Sequence, residues 1–366
     1  MSYKSETGPE NVVTLKVVGV GGAGNNVVNR MVKSGTQGVE FISVNTDKQA
    51  LAVSSADQKI QIGEKLTHGQ GAGSDPDVGK RSAEESRNDI AKSLEDADMV
   101  FITAGMGGGT GTGAAPTVAE IAREAGTLTV GVVTKPLKFE GKRRMDQALA
   151  GINSLLGKVD SLLIIPNDRL KYATDQKVTL ANAFEIADDV LRQAVTSISD
   201  LIKNTGFINL DFADVTTIMK DAGFAHMGVG HAVGKGKAEE AAKMAVASPL
   251  METSINGAHG VLINVTGSED MGLEDVEAAA NLVQEAAHPD ANIIFGATFD
   301  NSLDDEIRVT VIATGFEERE GAMPSKPFTA AGEKKAETQP QDKAEHAAPA
   351  EDDPFEDIFK IFNRGK

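Results

Sequence analysis

Nine residues from Gly105 to Gly113, GMGGGTGTG, include six glycines and two threonines, a composition that suits one kind of chemistry. Without Cβ atoms, the backbone N–H groups of such a loop can close on phosphate oxygens. The unpaired amides of a following helix add partial positive charge. MVFIT (Met99–Thr103) before the loop reads as a buried strand. PTVAEIAREAG (Pro116–Gly126) after it reads as a helix, with proline near its start and a glycine stop. A flexible linker has no reason to be held between a buried strand and a helix, so the loop is read as a phosphate cradle.

Two more glycine loops precede it. VVTLKVVGV (Val12–Val20) predicts a buried strand running into a glycine turn and an amphipathic helix, GGAGNNVVNRMVKSG. Gly19, Gly21 and Gly24 fit G-x-G-x-x-G, and Asp47, at the end of the strand FISVNTD, stands where a ribose-binding acid would lie. Those residues alone suit a nicotinamide-dependent oxidoreductase equally well. GQGAGSDPDVG (Gly69–Gly79), leading into a helix over KRSAEESRNDIAKSLED, shifts the balance. One pyrophosphate needs one fingerprint, whereas three glycine loops after successive strand–helix units suit a nucleoside triphosphate. No G-x-x-x-x-G-K-[ST] occurs, so backbone amides and helix dipoles would hold the phosphates rather than a lysine.

Other candidates carry two readings each. Glu140 and Arg144, four apart, can form a helical salt bridge or contact a sugar. SLLIIPND (Ser161–Asp168) is a strand that ends in Asn167 and Asp168, and the carboxyl ends of parallel strands are where α/β proteins hold ligands. Thr179–Lys203 shows the longest helical pattern, with Leu180, Phe184, Ala187, Leu191, Ala194, Ile198 and Ile202 at three- and four-residue steps. Phe184 and Asp188 share one face of it, and plain core packing is the simpler local reading of Phe184. Asn209, Asp211 and Asp214 precede or open the next helix, where acids commonly serve as caps. Two carboxylates three apart could also polarise a water. Within one fold, however, they lie a whole long helix from the glycine loops, so a second copy would have to bring them to the phosphates. His231 in MGVGHAVG is lone and reads as structural.

The elements that position these residues follow from their patterning. The strand–helix alternation predicts an α/β fold with a doubly wound, mostly parallel sheet over 12–178 and a long central helix over 179–203. A smaller α+β domain over 204–316 follows, then a disordered tether over 317–353 and an apolar docking peptide over 354–366, with 1–11 disordered. The chain has no cysteine, so disulfides and thiolate metal sites are excluded, and its six histidines show no zinc-binding spacing. A formal charge of −18 argues against a nucleic-acid surface. No apolar run reaches the ~20 residues of a membrane span, and no signal peptide precedes the first strand, which predicts a cytoplasmic protein.

The motifs GVGGAGNN (Gly19–Asn26), NTD (Asn45–Asp47), GGGTGTG (Gly107–Gly113), FEG with the following arginines (Phe139–Arg144), IPNDRL (Ile165–Leu170) and NLDFADV (Asn209–Val215) occur in that order. Together they closely resemble the FtsZ family of bacterial cell-division proteins, in the tubulin superfamily, over about residues 12–316. The resemblance implies a GTPase that polymerises head to tail with guanine nucleotide sandwiched between copies. By that resemblance Gly21, Gly22, Ala23, Gly24, Asn25 and Asn26, with Gly107, Gly108, Gly109, Thr110, Gly111 and Thr112, form the phosphate-binding segments. Glu140 and Arg144 would contact the sugar region, and Asn25, Asn167, Phe184 and Asp188 the guanine. Asn209, Asp211 and Asp214 would come from the neighbouring copy and position the attacking water, with Mg²⁺ offsetting charge repulsion and no metal ligands of the chain's own. The tether and terminal peptide would join filaments to membrane anchors such as FtsA or SepF, building a division ring at midcell. DIFKIFNR (Asp357–Arg364) departs from the family's D-I-P-x-F-L-R-like ending, and His231 stands where related chains tend to be aliphatic or small.

Overall fold

The computed structural model describes residues 13–172, 178–179, 182–203, 211–250, 255–300 and 303–316. The first half alternates strand and helix: β1 (Leu15–Val20), α1 (Gly21–Lys33), β2 (Val39–Asn45), α2 (Lys48–Ala52), β3 (Gln58–Gln61) and α3 (Glu64–Thr67). It continues through α4 (Pro76–Glu85), α5 (Arg87–Ser93), β4 (Met99–Gly105), α6 (Thr110–Glu124), β5 (Leu128–Lys135), α7 (Lys142–Leu156) and β6 (Ser161–Pro166). Then come α8 (Ala183–Lys203), α9 (Phe212–Met219), β7 (Gly223–Val233), α10 (Lys237–Val246), β8 (Gly260–Gly267), α11 (Leu273–Ala286), β9 (Asn292–Phe299) and β10 (Glu306–Thr314).

Strands β1 to β6 pair in parallel in the order β3-β2-β1-β4-β5-β6. Because helices cover both faces, β1 and β6 are buried at every residue, as their unbroken apolar runs require. The order reverses between β1 and β4, and their carboxyl ends open a crevice there. The predicted doubly wound, mostly parallel sheet is therefore present.

Four details differ from the sequence reading. Helix α6 begins at Thr110, not near Pro116, so the last four residues of the glycine–threonine run are its first turn, and Pro116 sits inside it. The helix expected after Gly79 is two, broken at Ser86, and the first starts earlier, at Pro76 behind an Asp75 cap. Strand β7 was not anticipated: its glycines and histidines hide the alternation. It pairs in parallel with β6 over three residues and antiparallel with β10, so the two halves share one ten-stranded sheet instead of carrying two. Lastly, α8 starts at Ala183; Leu180 lies outside the described residues, as do Asn209 and the segments 1–11, 317–353 and 354–366.

Burial explains the position of α8. Leu191, Ala194 and Ile198 pack with Val215, Ile218 and Met219 of α9 and with Leu262 and Ile312 of the second half, in one apolar cluster that also holds Val17 and Phe101 of the first sheet. The opposite face of the first half buries α4 to α7, and α10 and α11 cover the second half.

Candidate functional site

The crevice holds a cavity of about 250 Å³. Its floor is the first turn of α1 (Gly22, Ala23) and of α6 (Thr110, Gly111), with Gly108 and Gly109 leading in. Neither helix has a side-chain cap, and neither carries an acid in its first turn. Three other helices do have one: Asp47 caps α2, Asp75 caps α4 and Asp211 caps α9. Such a cap contributes about 1 kcal/mol, a stabilisation that α1 and α6 lack, as do α3, α5, α7 and α10. The first-turn amides of α1 and α6 are left for an anion.

The glycines divide by what a Cβ would meet. At Gly113 it would lie 1.9 Å from the Pro76 carbonyl oxygen, and at Gly24 2.3 Å from that of Thr103, so these two are packing glycines. At Gly22 and Gly108 it would meet nothing within 4 Å. Protein packing thus gives no reason for glycine at these two of the positions that line the cavity.

The NTD motif laces the two helix starts together. Asn45 Nδ2 donates to Asn25 Oδ1 at 2.7 Å, and the Thr46 and Thr110 hydroxyls lie 2.7 Å apart. The Asp47 carboxylate accepts from the amides of Gln49 and Ala50, so it is not offered to a ribose. Asn25 is buried, its amide donating to the Gly19 carbonyl at 2.7 Å, and it does not line the cavity; its neighbour Asn26 is the exposed one. Gly21, Gly24, Gly107 and Thr112 also stand behind the lining. Gly107 N donates to Thr112 Oγ1 at 2.8 Å, which closes the loop on itself.

The other end of the cavity is lined by Asn167, Phe184, Ala187 and Asp188. Phe184 is 47% exposed, so it is not core packing. Asn167 is buried, and its Oδ1 has no hydrogen-bond partner among the described residues. Asp188 lies 3.3 Å from Arg30 Nε, yet burial outweighs that guanidinium and raises its pKa to about 6. Glu140 and Arg144 sit between the two ends and are salt-bridged at 3.0 Å; Glu140 also accepts from Leu137 N at 2.8 Å. Among the described lining residues Arg144 is the one cation.

Asp211 and Asp214 are not in the cavity. They form a capping box at the start of α9: Asp214 N donates to Asp211 Oδ1 at 2.8 Å and Asp211 N to Asp214 Oδ2 at 3.4 Å. Met106, Thr134, Pro136 and Ala187 also line the cavity and were missed from sequence. Thr134 ends a strand and Ala187 lies one turn from Phe184, so strand-end and helix-face rules could have found both.

The model of the tubulin/FtsZ family GTPase domain matches residues 14–175, and that of the FtsZ family C-terminal domain matches 223–317. An empty FtsZ dimer from M. jannaschii is 45% identical, with a TM-score of 0.80 over 83% of this chain and 88% of that one. A mutant form of M. jannaschii FtsZ is also 45% identical, with a TM-score of 0.81 over 84% of this chain and 92% of that one. CetZ2 from Haloferax volcanii, in a GTPγS-bound protofilament, shares the fold at 20% identity, with a TM-score of 0.69 over 84% of this chain and 95% of that one. Both FtsZ structures come from M. jannaschii, so family membership carries no bacterial origin with it. With both family models matched in order and nearly half its residues identical to FtsZ over most of its length, this chain belongs to the FtsZ family of tubulin-like GTPases.

Proposed function

We propose that copies of this chain stack head to tail, and that the GTP held in the cavity of one copy is hydrolysed only when Asp211 and Asp214 of the next copy arrive. One observation carries this reading. The two carboxylates in the cavity are already paired with guanidinium groups, Glu140 with Arg144 and Asp188 with Arg30, whereas Asp211 and Asp214, bonded to each other's backbone amides, stand outside it. No other carboxylate is among the described lining residues.

The phosphates rest on the uncapped starts of α1 and α6, where Gly22 and Gly108 leave room for oxygen atoms against the backbone. Guanine lies toward Phe184, with its N1–H and N2–H donors facing Asn167 Oδ1 and the Asp188 carboxylate. Adenine presents an acceptor at N1 and would leave those acceptors unsatisfied. Among the described residues no cluster of three or more His, Asp or Glu could hold a metal ion, so Mg²⁺ would ride on phosphate oxygens and water and offset the charge of the approaching acids. Asn209 of the incoming copy helps to orient the water and Asp211 and Asp214 take its proton while it attacks the γ-phosphorus; the bond to the β,γ-bridging oxygen breaks, and GDP and phosphate leave.

In this reading residues 12–178 hold nucleotide, 179–203 link the halves and 204–316 complete the neighbour's site. The segment 317–353 tethers the filament, and 354–366 docks on a membrane-bound division protein of the FtsA or SepF kind, gathering filaments into a midcell ring. Among the described residues no helix is long and apolar enough to cross a membrane, which fits anchoring through a partner.

Phosphate release and light scattering after GTP addition test the core of this. Activity per copy should rise with protein concentration above a threshold, and Asp214→Ala should bind GTP yet not turn it over. Constant activity per copy down to dilute protein would overturn the reading.

A further inference from the structure

The geometry points to Arg123 as a positioning residue for hydrolysis: it clamps the far end of the phosphate helix to the turn that holds α9, and so sets where Asp211 and Asp214 stand. This rests on the reading that those acids act in trans.

Arg123 lies in the last turn of α6, whose first residue lines the cavity. That helix is a rod of roughly 22 Å. Its guanidinium binds Asp221 through Nη2, lies 3.6 Å from Asp160 Oδ1 through Nε, and reaches the Gly157 carbonyl at 3.5 Å. Asp221 follows α9 directly and has a left-handed backbone, φ 51°. Asp160 is buried and accepts from Thr129 N at 2.8 Å and Asp221 N at 3.4 Å, while its carbonyl accepts from Gly223 N at 2.9 Å. The turn after α9 is thereby tied to α6 and to the edge of β5.

The same end of α9 is gripped from both halves of the sheet. Ser161 Oγ donates to the Met219 carbonyl at 2.6 Å, and Thr314 Oγ1 donates to the Ile218 carbonyl at 2.8 Å. With its carboxyl end fixed, α9 acts as a short post, and its other end presents the two acids. The Arg123–Asp221 pair is part-exposed, at 37% and 61% for the two side chains, so as a source of stability it counts for little. What it supplies is geometry, a link from the phosphate loop at one end of the molecule to the acids at the other.

The test uses the full chain above its polymerisation threshold. Arg123→Ala should lower kcat roughly ten- to a hundredfold, the scale of a small misplacement of a reacting group. GTP affinity of the dilute chain and the threshold should stay unchanged, and Arg123→Lys should recover part of the loss. Asp221→Asn keeps a residue type that accepts φ above zero while removing the charge, so it decides the matter if Arg123→Ala fails to fold. Mixing Arg123→Ala with Asp214→Ala fixes the direction of action. Both variants bring faulty acids, so the mixture should not exceed the mean of the two alone. A mixture that exceeds it would show Arg123 acting on its own nucleotide, and wild-type kcat in folded Arg123→Ala or in Asp221→Asn would likewise overturn the proposal. Turnover by Asp214→Ala itself would instead sink the trans reading, an outcome separable from any behaviour of Arg123.

Discussion

Helices α6 and α9 begin in opposite ways. The first turn of α6 has no cap and no acid, and it lies open on the cavity. The first turn of α9 is closed by two carboxylates that satisfy each other's backbone amides and stand outside the cavity. One helix start is an anion receptor; the other carries anions ready to be presented elsewhere. On the proposed reading each is half of an electrostatic arrangement, and a single copy would be inert because the chain separates the amides proposed to bind phosphate from the acids proposed to activate water.

The contrast can be broken most severely by exchanging the two characters. Asp214→Asn keeps much of the capping geometry but loses the base, and phosphate release should fall by about 10²–10⁴-fold, the usual worth of a general base. Gly22→Asp would close the open end of α1 with its own carboxylate. Thermal stability of the free protein should hold or rise slightly through the helix dipole, while GTP affinity, measured by titration, falls by more than about a hundredfold through charge repulsion.

Two gentler changes sharpen it. Gly113→Ala should destabilise the fold by about 1–3 kcal/mol or more, since its Cβ would strike the Pro76 carbonyl at 1.9 Å. Gly22→Ala should do the reverse, gaining up to about 1 kcal/mol of helix propensity while weakening GTP binding. Melting curves with and without nucleotide separate the two kinds of glycine.

The smallest effect is on pH. Asp188 has its folded pKa raised to about 6 from an ordinary 3.8, so the fold carries the cost of its buried charge above pH 6 and is free of it below pH 3.8, where both states are protonated. Its own contribution therefore makes the free protein more stable as pH falls through that window. If guanine is held by the carboxylate as proposed, affinity should move the other way, dropping roughly tenfold between about pH 7 and pH 5. An Asp188→Asn variant whose affinity still followed that profile would remove Asp188 from the base site.

Much of this was legible in the chain. The apolar runs of Leu15–Val20, Met99–Thr103 and Ser161–Pro166 announce buried parallel strands because helices must cover both faces. The glycine loops announce phosphate because few other ligands need bare backbone. Strand β7 was not legible, since Gly223, Gly228, Gly230 and two histidines dilute its alternation and its pairing partners lie far away in sequence. Nor could the motifs separate Asn25 from Asn26: adjacent residues on a helix differ by about 100° in direction, and only packing against Gly19 and Asn45 turns the first inward.

Taken by itself, the order of residues determined most of the strands and helices, the absence of a P-loop lysine beside the glycine loops, and which acids were available. These are local matters, set by side-chain periodicity and by the absence of Cβ atoms. Tertiary structure alone decided which glycines packing requires and which it does not, that Phe184 faces the cavity, and that Arg123 meets Asp221. Those outcomes depend on contacts between residues tens of positions apart, and no local pattern encodes what a side chain will touch once the sheet has closed.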